Sequence, residues 1–407
     1  MITFAEYLAE GAEGKNLHLE HLEDEVLNNG VNGTRAAINF LQSLRDMLAG
    51  STKSSVNVTV KWDGAPAVFA GINPENGKFF VGTKGVFNKN PKVNYTNADI
   101  DANHSSPGLN SKLKFALKHL PKLGIKDVLQ GDMLFTQDDL STETIDGKSY
   151  LTFQPNTIVY AVPKESSSKI KKAKMGIVWH TTYSGEKLED MRATFGANIS
   201  GLKKTDDVYF TDADYRDTSG TVNFNKAETA SITKVLSSAG KKFRELKSSF
   251  MNELMNDNNL LILVKTFNNV KVREGQKISN TTKHTGEMIK YINAKLQKDI
   301  DKIKTEKNRE IKTKNKNELI SYITKNRVNF KNIFDMQNLL VDAKNMVIRK
   351  LEKAKGAMDT FIRTDNGYRV TAPEGFVAID RMGDAVKLVD RLEFSRANFN
   401  AAKNWTK

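Results

Sequence analysis

The stretch Val56-Asn57-Val58-Thr59-Val60-Lys61-Trp62-Asp63-Gly64-Ala65-Pro66-Ala67-Val68-Phe69-Ala70-Gly71-Ile72 decides how the chain is read. Val56–Val60 alternates and is rich in β-branched residues, the pattern of a half-buried strand. Ala67–Ile72 reads as a second strand, Asn73-Pro74-Glu75-Asn76-Gly77 as a turn, and Lys78-Phe79-Phe80-Val81-Gly82 as a third strand. Lys61 and the Asp63-Gly64 pair thus sit in a loop between strands. A lysine held there, with acidic and basic groups converging from elsewhere, is placed to act as a covalent nucleophile. Alone, the four residues describe equally well an exposed loop with a solvated lysine and an Asp-Gly turn.

Four later segments carry the argument further. Gly82-Thr83-Lys84-Gly85 closes the third strand with a basic residue and a glycine. Asp127-Val128-Leu129-Gln130-Gly131-Asp132-Met133-Leu134-Phe135 reads as a strand with a Gly-acid pair inside it. Ala372-Pro373-Glu374-Gly375-Phe376-Val377-Ala378-Ile379 is a Glu-Gly pair opening an apolar strand, and Ala385-Val386-Lys387-Leu388-Val389-Asp390-Arg391 is a strand carrying a lysine.

In this order the segments resemble the covalent lysyl-nucleotidyltransferases, the superfamily of ATP-dependent DNA and RNA ligases and mRNA-capping guanylyltransferases. The resemblance covers about residues 55–200 and 365–395. It implies an α+β fold: a ligase-like core of antiparallel sheets with flanking helices. It also implies roles. Lys61 is the nucleophile that takes AMP from ATP; Lys387 bears on the α-phosphate; Glu374 and Asp132 hold Mg²⁺. Asp63 and Gly64 shape the nucleotide loop, and Lys84 contacts phosphate or the acceptor strand. Two positions depart from the family pattern. Gln130 stands where an acid is common, and Val389 replaces the second lysine of the last motif, with Arg391 as a substitute. An aromatic that stacks on the base is expected from Tyr160, Trp179 or Tyr183, although each also fits a core position. The Asn16–Asp24 segment and the Lys61–Ala67 run further resemble uncharacterised proteins of large tailed bacteriophages, which implies the cytoplasm of a host cell.

Neutral Lys61 is required for attack, and an exposed lysine is almost wholly protonated at neutral pH. The site is therefore expected to lower the Lys61 pKa through burial and nearby cations, or deprotonation is arranged when metal and phosphate bind.

Composition bounds the rest. The chain has 407 residues, long enough for two or three units, and no cysteine, which excludes disulfides, thiolate zinc sites and cysteine nucleophiles. No stretch approaches the length of a membrane span, and Met1–Tyr7 lacks the basic and apolar regions of a leader. Of the net charge of +14, all is accounted for by residues 226–355, which hold 29 Lys and Arg against 14 Asp and Glu. Such a module suits a polyanion, so RNA or DNA is the expected partner; a solvated helical surface is the plainer alternative.

Four segments forming three units follow: a helical cap at 1–54, the first part of the core at 55–222, a basic all-α insertion at 223–362, and the second part of the core at 363–407, too short after the last motif for an OB domain. Lys112–Leu123 is expected as one amphipathic helix. Ile158–Val162 and Met175–Tyr183 are expected as two paired strands joined by a basic loop. His18 and His21, beside Glu20, Glu23 and Asp24, form a weak metal pattern. The functional expectation is an ATP-dependent polynucleotide ligase acting through lysyl-AMP. Its alternatives are a nucleic-acid-binding or virion-associated protein with a degenerate core, and a nucleotidyltransferase to a protein or an RNA cap.

Overall fold

A computed structural model of the chain describes residues 21–50, 57–214, 223–353, 358–364, 367–371, 374–379 and 385–392. The parts of the expected N-terminal cap at 1–20 and 51–54, the Ala372-Pro373 start of one motif and the tail at 393–407 lie outside them.

After a short buried segment at Leu22–Asn28, helix α1 (Gly30–Leu48) presents Ala37, Leu41, Leu44 and Leu48 on one face. Strands β1 (Asn57–Lys61), β2 (Ala67–Ile72) and β3 (Phe79–Gly82) follow. The β2–β3 turn is closed by the Asn73 side chain, which accepts from the Glu75 amide at 2.9 Å, and by Gly77 at φ +69°. Helix α2 (Pro107–His119) starts with proline in its first turn and passes into a 3₁₀ turn at Leu120–Leu123, which ends at left-handed Gly124.

Strands β4 (Val128–Thr136), β5 (Ser141–Ile145), β6 (Lys148–Phe153), β7 (Ile158–Pro163), β8 (Met175–Ser184), β9 (Arg192–Phe195) and β10 (Val208–Asp212) come next. Six helices then run in succession: α3 (Lys226–Glu245), α4 (Ser248–Asn256), α5 (Asn258–Arg273), α6 (Thr281–Ile300), α7 (Glu306–Lys325) and α8 (Arg327–Leu351). The chain returns through β11 (Asp359–Thr364), β12 (Gly367–Val370), β13 (Gly375–Ile379) and β14 (Ala385–Leu388). The fold is thus a mixture of helix and sheet.

Three sheets result, ordered β1-β13-β14, β10-β8-β4-β2-β3 with β9 also on β8, and β12-β11-β7-β6-β5. The sheets are antiparallel except for β8–β10, which pair in parallel. This corrects the expectation of purely antiparallel sheets. β9 turns back along the end of β8, and the 196–207 connection then carries the chain to the start of β8, so β10 enters in the same direction. A second correction concerns β7 and β8, expected as a pair. β7 lies between β6 and β11, whereas β8 lies beside β4 in another sheet. The segment between them contains a 3₁₀ turn and the short helix Ser168–Lys172, long enough to cross from one sheet to the other.

The β4-containing sheet is covered on one face by α2, through Val68, Met133, Ile177 and Trp179. Its other face meets the β7 sheet, where Phe135 and Phe153 lie 5.0 Å apart between ring centres. α1 and α3–α8 share one core, and the β1-β13-β14 sheet packs against it through Val58, Val60, Phe376, Ala378, Val386 and Leu388. Because strand side chains alternate, the opposite face of that small sheet carries Thr59, Lys61, Val377, Ile379 and Lys387. The segment that carries β1 is thereby tied to the end of the chain by the β1–β13 ladder.

Candidate active site

β1 ends at Lys61, whose register partner is Gly375 on β13. Glu374, one residue earlier, therefore reaches the Lys61 side chain, and Lys61 Nζ donates to Glu374 Oε2. The pair is open to the cleft: 26% of the Lys61 side chain and 9% of the Glu374 side chain are exposed. Gly375, at φ +151°, is required here, since a Cβ would lie 2.5 Å from the Leu388 carbonyl oxygen. Thr59, Lys61, Val377 and Ile379 of the small sheet face Asp132, Val178 and His180 of the large one, and Trp62 and Phe195 are among the other lining residues.

The loop after Lys61 is fixed from two sides. Asp63 is buried, and its carboxylate accepts from the Asn156 side chain at 2.8 Å and from the Thr157 and Ile158 amides at 2.7 Å each. Its own amide donates to the Tyr160 hydroxyl at 2.7 Å. Burial pushes the Asp63 carboxyl up despite these donors and Lys61. Asp63 thus staples the loop to β7, with both oxygens engaged inside the protein. Gly64 lies flat on β4: a Cβ would stand 2.5 Å from Asp132 Cβ and 3.0 Å from the Met133 carbonyl oxygen. The Ala65 amide donates to that same carbonyl at 2.9 Å. Close approach of the loop to β4 is what brings Asp132 to Lys61.

Of the two routes expected for Lys61, lowering of its pKa by the surrounding residues themselves is not what the fold produces, which leaves deprotonation on binding of metal and phosphate. Burial opposes the ammonium, but Glu374, by charge and hydrogen bond, and then Asp132 and Asp63 outweigh it, and the pKa is raised. Glu374 is also pushed up, by burial first and by Asp63 and Asp132, against the pull of Lys61. Three carboxylates act on one ammonium, so the site carries surplus negative charge. Asp132 has His180 Nε2 3.7 Å away.

The remaining motif residues are placed as follows. Lys387 pairs in register with Val377 and lies on the cleft face. Lys84 is exposed at the start of a 3₁₀ turn, two residues after Gly82, which pairs with Phe69; Ala67 on that strand faces Asp132, so Lys84 follows the end of the sheet at which Asp132 sits. Gln130 accepts from the Tyr183 hydroxyl at 2.8 Å. Val389 is buried between the two large sheets. Arg391 does not replace the missing lysine. Its guanidinium is held by Asp24 at 2.9 Å and by Asn269 at 2.7 Å. Tyr160, Trp179 and Tyr183 are all core residues. The cleft aromatics are instead Trp62, stacked on Tyr160 at 5.1 Å, and Phe195. Trp62 lies inside the lysine motif and could have been singled out for that reason; Phe195 offers no sequence signal.

His18 and Glu20 lie outside the described residues, while Glu23 pairs with Lys344 and Asp24 with Arg391. Among the described residues no three His, Asp or Glu side chains gather as a metal site. A Mg²⁺ that keeps its waters and takes phosphates from a nucleotide needs only one or two carboxylates, and Asp132 and Glu374 are the acids near Lys61 that could hold one. No helix among the described residues is long and apolar enough to cross a membrane.

Fold and site together define an α+β protein in which the second part of the chain closes a lysine–carboxylate cleft begun by the first. The chain belongs to the family described as Family of unknown function (DUF6267), which it matches over residues 16–403. No curated protein and no solved structure matches it.

Proposed function

We propose that the cleft carries out covalent nucleotidyl transfer from ATP, with Lys61 as the nucleophile, and that the protein is a polynucleotide ligase-like enzyme. The observation that carries this reading is the contact of Lys61 with Glu374, from the far end of the chain, on a face that also presents Lys387 and opposes Asp132. These residues stand in four of the ligase-like segments. In the proposed step, Lys61 Nζ attacks the α-phosphorus, the bond to the β-phosphate oxygen breaks, pyrophosphate leaves, and the lysine proton is released to solvent. The product is a phosphoramide-linked lysyl-AMP.

Because Glu374 holds the ammonium, the ion pair has to open first. With that pull removed, the largest influence holding the ammonium is gone and burial favours the neutral amine, opposed only by the weaker pull of Asp132 and Asp63. Lys387 is placed to offset phosphate charge, and Trp62 and Phe195 offer apolar surface for a base. Mg²⁺ held by Asp132 and Glu374 would supply charge neutralisation on the phosphates.

The acceptor is tested by a chase. Protein loaded with α-labelled nucleotide is mixed with 5′-phosphorylated RNA, nicked DNA or protein. Transfer of label to a 5′-phosphate end, followed by sealing, supports the ligase. Label that leaves only for protein or a cap-like RNA end assigns a different acceptor. A degenerate core is favoured by one specific feature, Val389 buried where a second phosphate-binding lysine would stand.

A further inference from the structure

The small sheet does not end at β14. His21 makes a parallel bridge to Lys387, so the row Thr59–Val377–Lys387 continues into His21. The next residue, Leu22, is fully buried in the helical core. Alternation therefore puts His21 on the opposite face, that of Lys387 and Lys61. Neighbouring positions in such a row are roughly 5 Å apart, so Lys387 and His21 form a track leading away from Lys61. Among the described residues His21 Nδ1 is buried and has no hydrogen-bond partner. A buried imidazole nitrogen without a partner is costly, and a ligand that reaches it from the adjoining cleft would complete it. Burial, and then Lys344, Arg391, Lys387 and Lys61, hold the ring in its neutral form, with one N–H to donate.

We propose that His21 is a phosphate-binding residue of the cleft, donating to a phosphate oxygen beyond the α-position of a bound nucleoside triphosphate and taking the place of the lysine that Val389 lacks. The proposal rests on the nucleotide reading of the cleft, and deepens it: the polyphosphate lies along the Lys387–His21 row, pointing away from Lys61. Lys387, the neighbour of His21 in register, supplies the cation beside it, whereas Lys344, Arg391 and Lys61 are each paired with a carboxylate.

The test is binding rather than turnover. The full chain and His21→Gln are titrated with tripolyphosphate, with MgATP and with AMP, and thermal unfolding is recorded for both. Loss of a hydrogen bond to a charged group predicts a weakening of about tenfold or more for tripolyphosphate and MgATP, with AMP unchanged. If His21→Gln fails to fold, the imidazole resonances of the unaltered protein are followed instead; a shift of the His21 ring on adding tripolyphosphate, absent with AMP, is expected. Equal affinity of the two proteins, an unmoved His21 ring, or no tripolyphosphate binding by the unaltered protein overturns the proposal. His21-dependent binding by a protein that forms no adduct at Lys61 would sustain the phosphate site while rejecting nucleotidyl transfer.

Discussion

The Lys61 ammonium rests against the Glu374 carboxylate although 313 positions separate the two residues in the chain. The contact exists because β1 and β13 pair in one register, Lys61 opposite Gly375. It also bears on the protonation of the Lys61 amine. Glu374, with Asp132 and Asp63, holds the ammonium against the opposing effect of burial. Reactivity of Lys61 toward an amine-selective reagent, followed by mass spectrometry across pH, is therefore expected to rise with a midpoint above that of an ordinary lysine. Glu374→Gln removes the largest raising influence and leaves burial opposed only by Asp132 and Asp63, so its midpoint shifts to lower pH. Identical midpoints would show that Glu374 does not control the amine.

Asp63 is predicted to act on stability as much as on activity. Asp63→Ala leaves the Thr157 and Ile158 amides without their acceptor in a buried position. The expected loss is on the order of 3 kcal/mol, read from the urea midpoint. A change within a few tenths of that of a surface substitution would mean that the loop is held by other contacts.

The sequence made the strands around Lys61 legible because β-branched alternation and an Asn-containing turn act locally. It also marked Lys61, Asp132, Glu374 and Lys387 as residues worth bringing together. What it could not show was partner choice. β7 and β8 both read as strands, but nothing local says that they belong to different sheets. Asp63 looked like a site residue because its neighbours in the motif are, yet its acceptors are satisfied by a segment more than ninety positions away. The direction of the Lys61 pKa shift was not legible for a related reason: its sign depends on the carboxylates that the fold assembles, which the spacing of the motif does not reveal. His21 had no visible link to the cleft until its bridge to Lys387 was seen.

The helical body is tied to the site by a buried ion pair. Lys344 on α8 donates to both oxygens of Glu23 at 2.7 and 2.8 Å, with side-chain exposures of 1% and 4%. Removing one partner strands the other charge, so Lys344→Met alone is expected to cost about 3–5 kcal/mol. Glu23→Gln combined with Lys344→Met should recover much of that loss. A double variant as unstable as the sum of the singles would mean that the two residues act independently.

Acid sensitivity is expected at the start of α3. Glu228 caps the helix through the Asn225 amide at 2.8 Å and meets Lys350 at 2.8 Å. The Lys350 hydrogen bond, then the Asn225 amide, depress its carboxyl from 4.5 to about 2. A depressed carboxyl contributes stability that is fully present above the unfolded value and is lost as pH falls through the folded one. The difference in melting temperature between the unaltered protein and Glu228→Gln should thus be largest near neutral pH, shrink below 4.5 and vanish near 2. A difference that does not depend on pH would place the contribution in packing rather than charge.

The most direct test of the central claim is the covalent step itself. Purified protein, first shown by intact mass to carry no nucleotide, is incubated with Mg²⁺ and α-labelled ATP or GTP, denatured, and examined for retained label and for the mass gain of one nucleoside monophosphate, with Lys61→Ala alongside. An acid-labile adduct that maps to Lys61 and is absent from Lys61→Ala is the predicted result. An unmodified protein that takes up no label from either nucleotide would contradict nucleotidyl transfer.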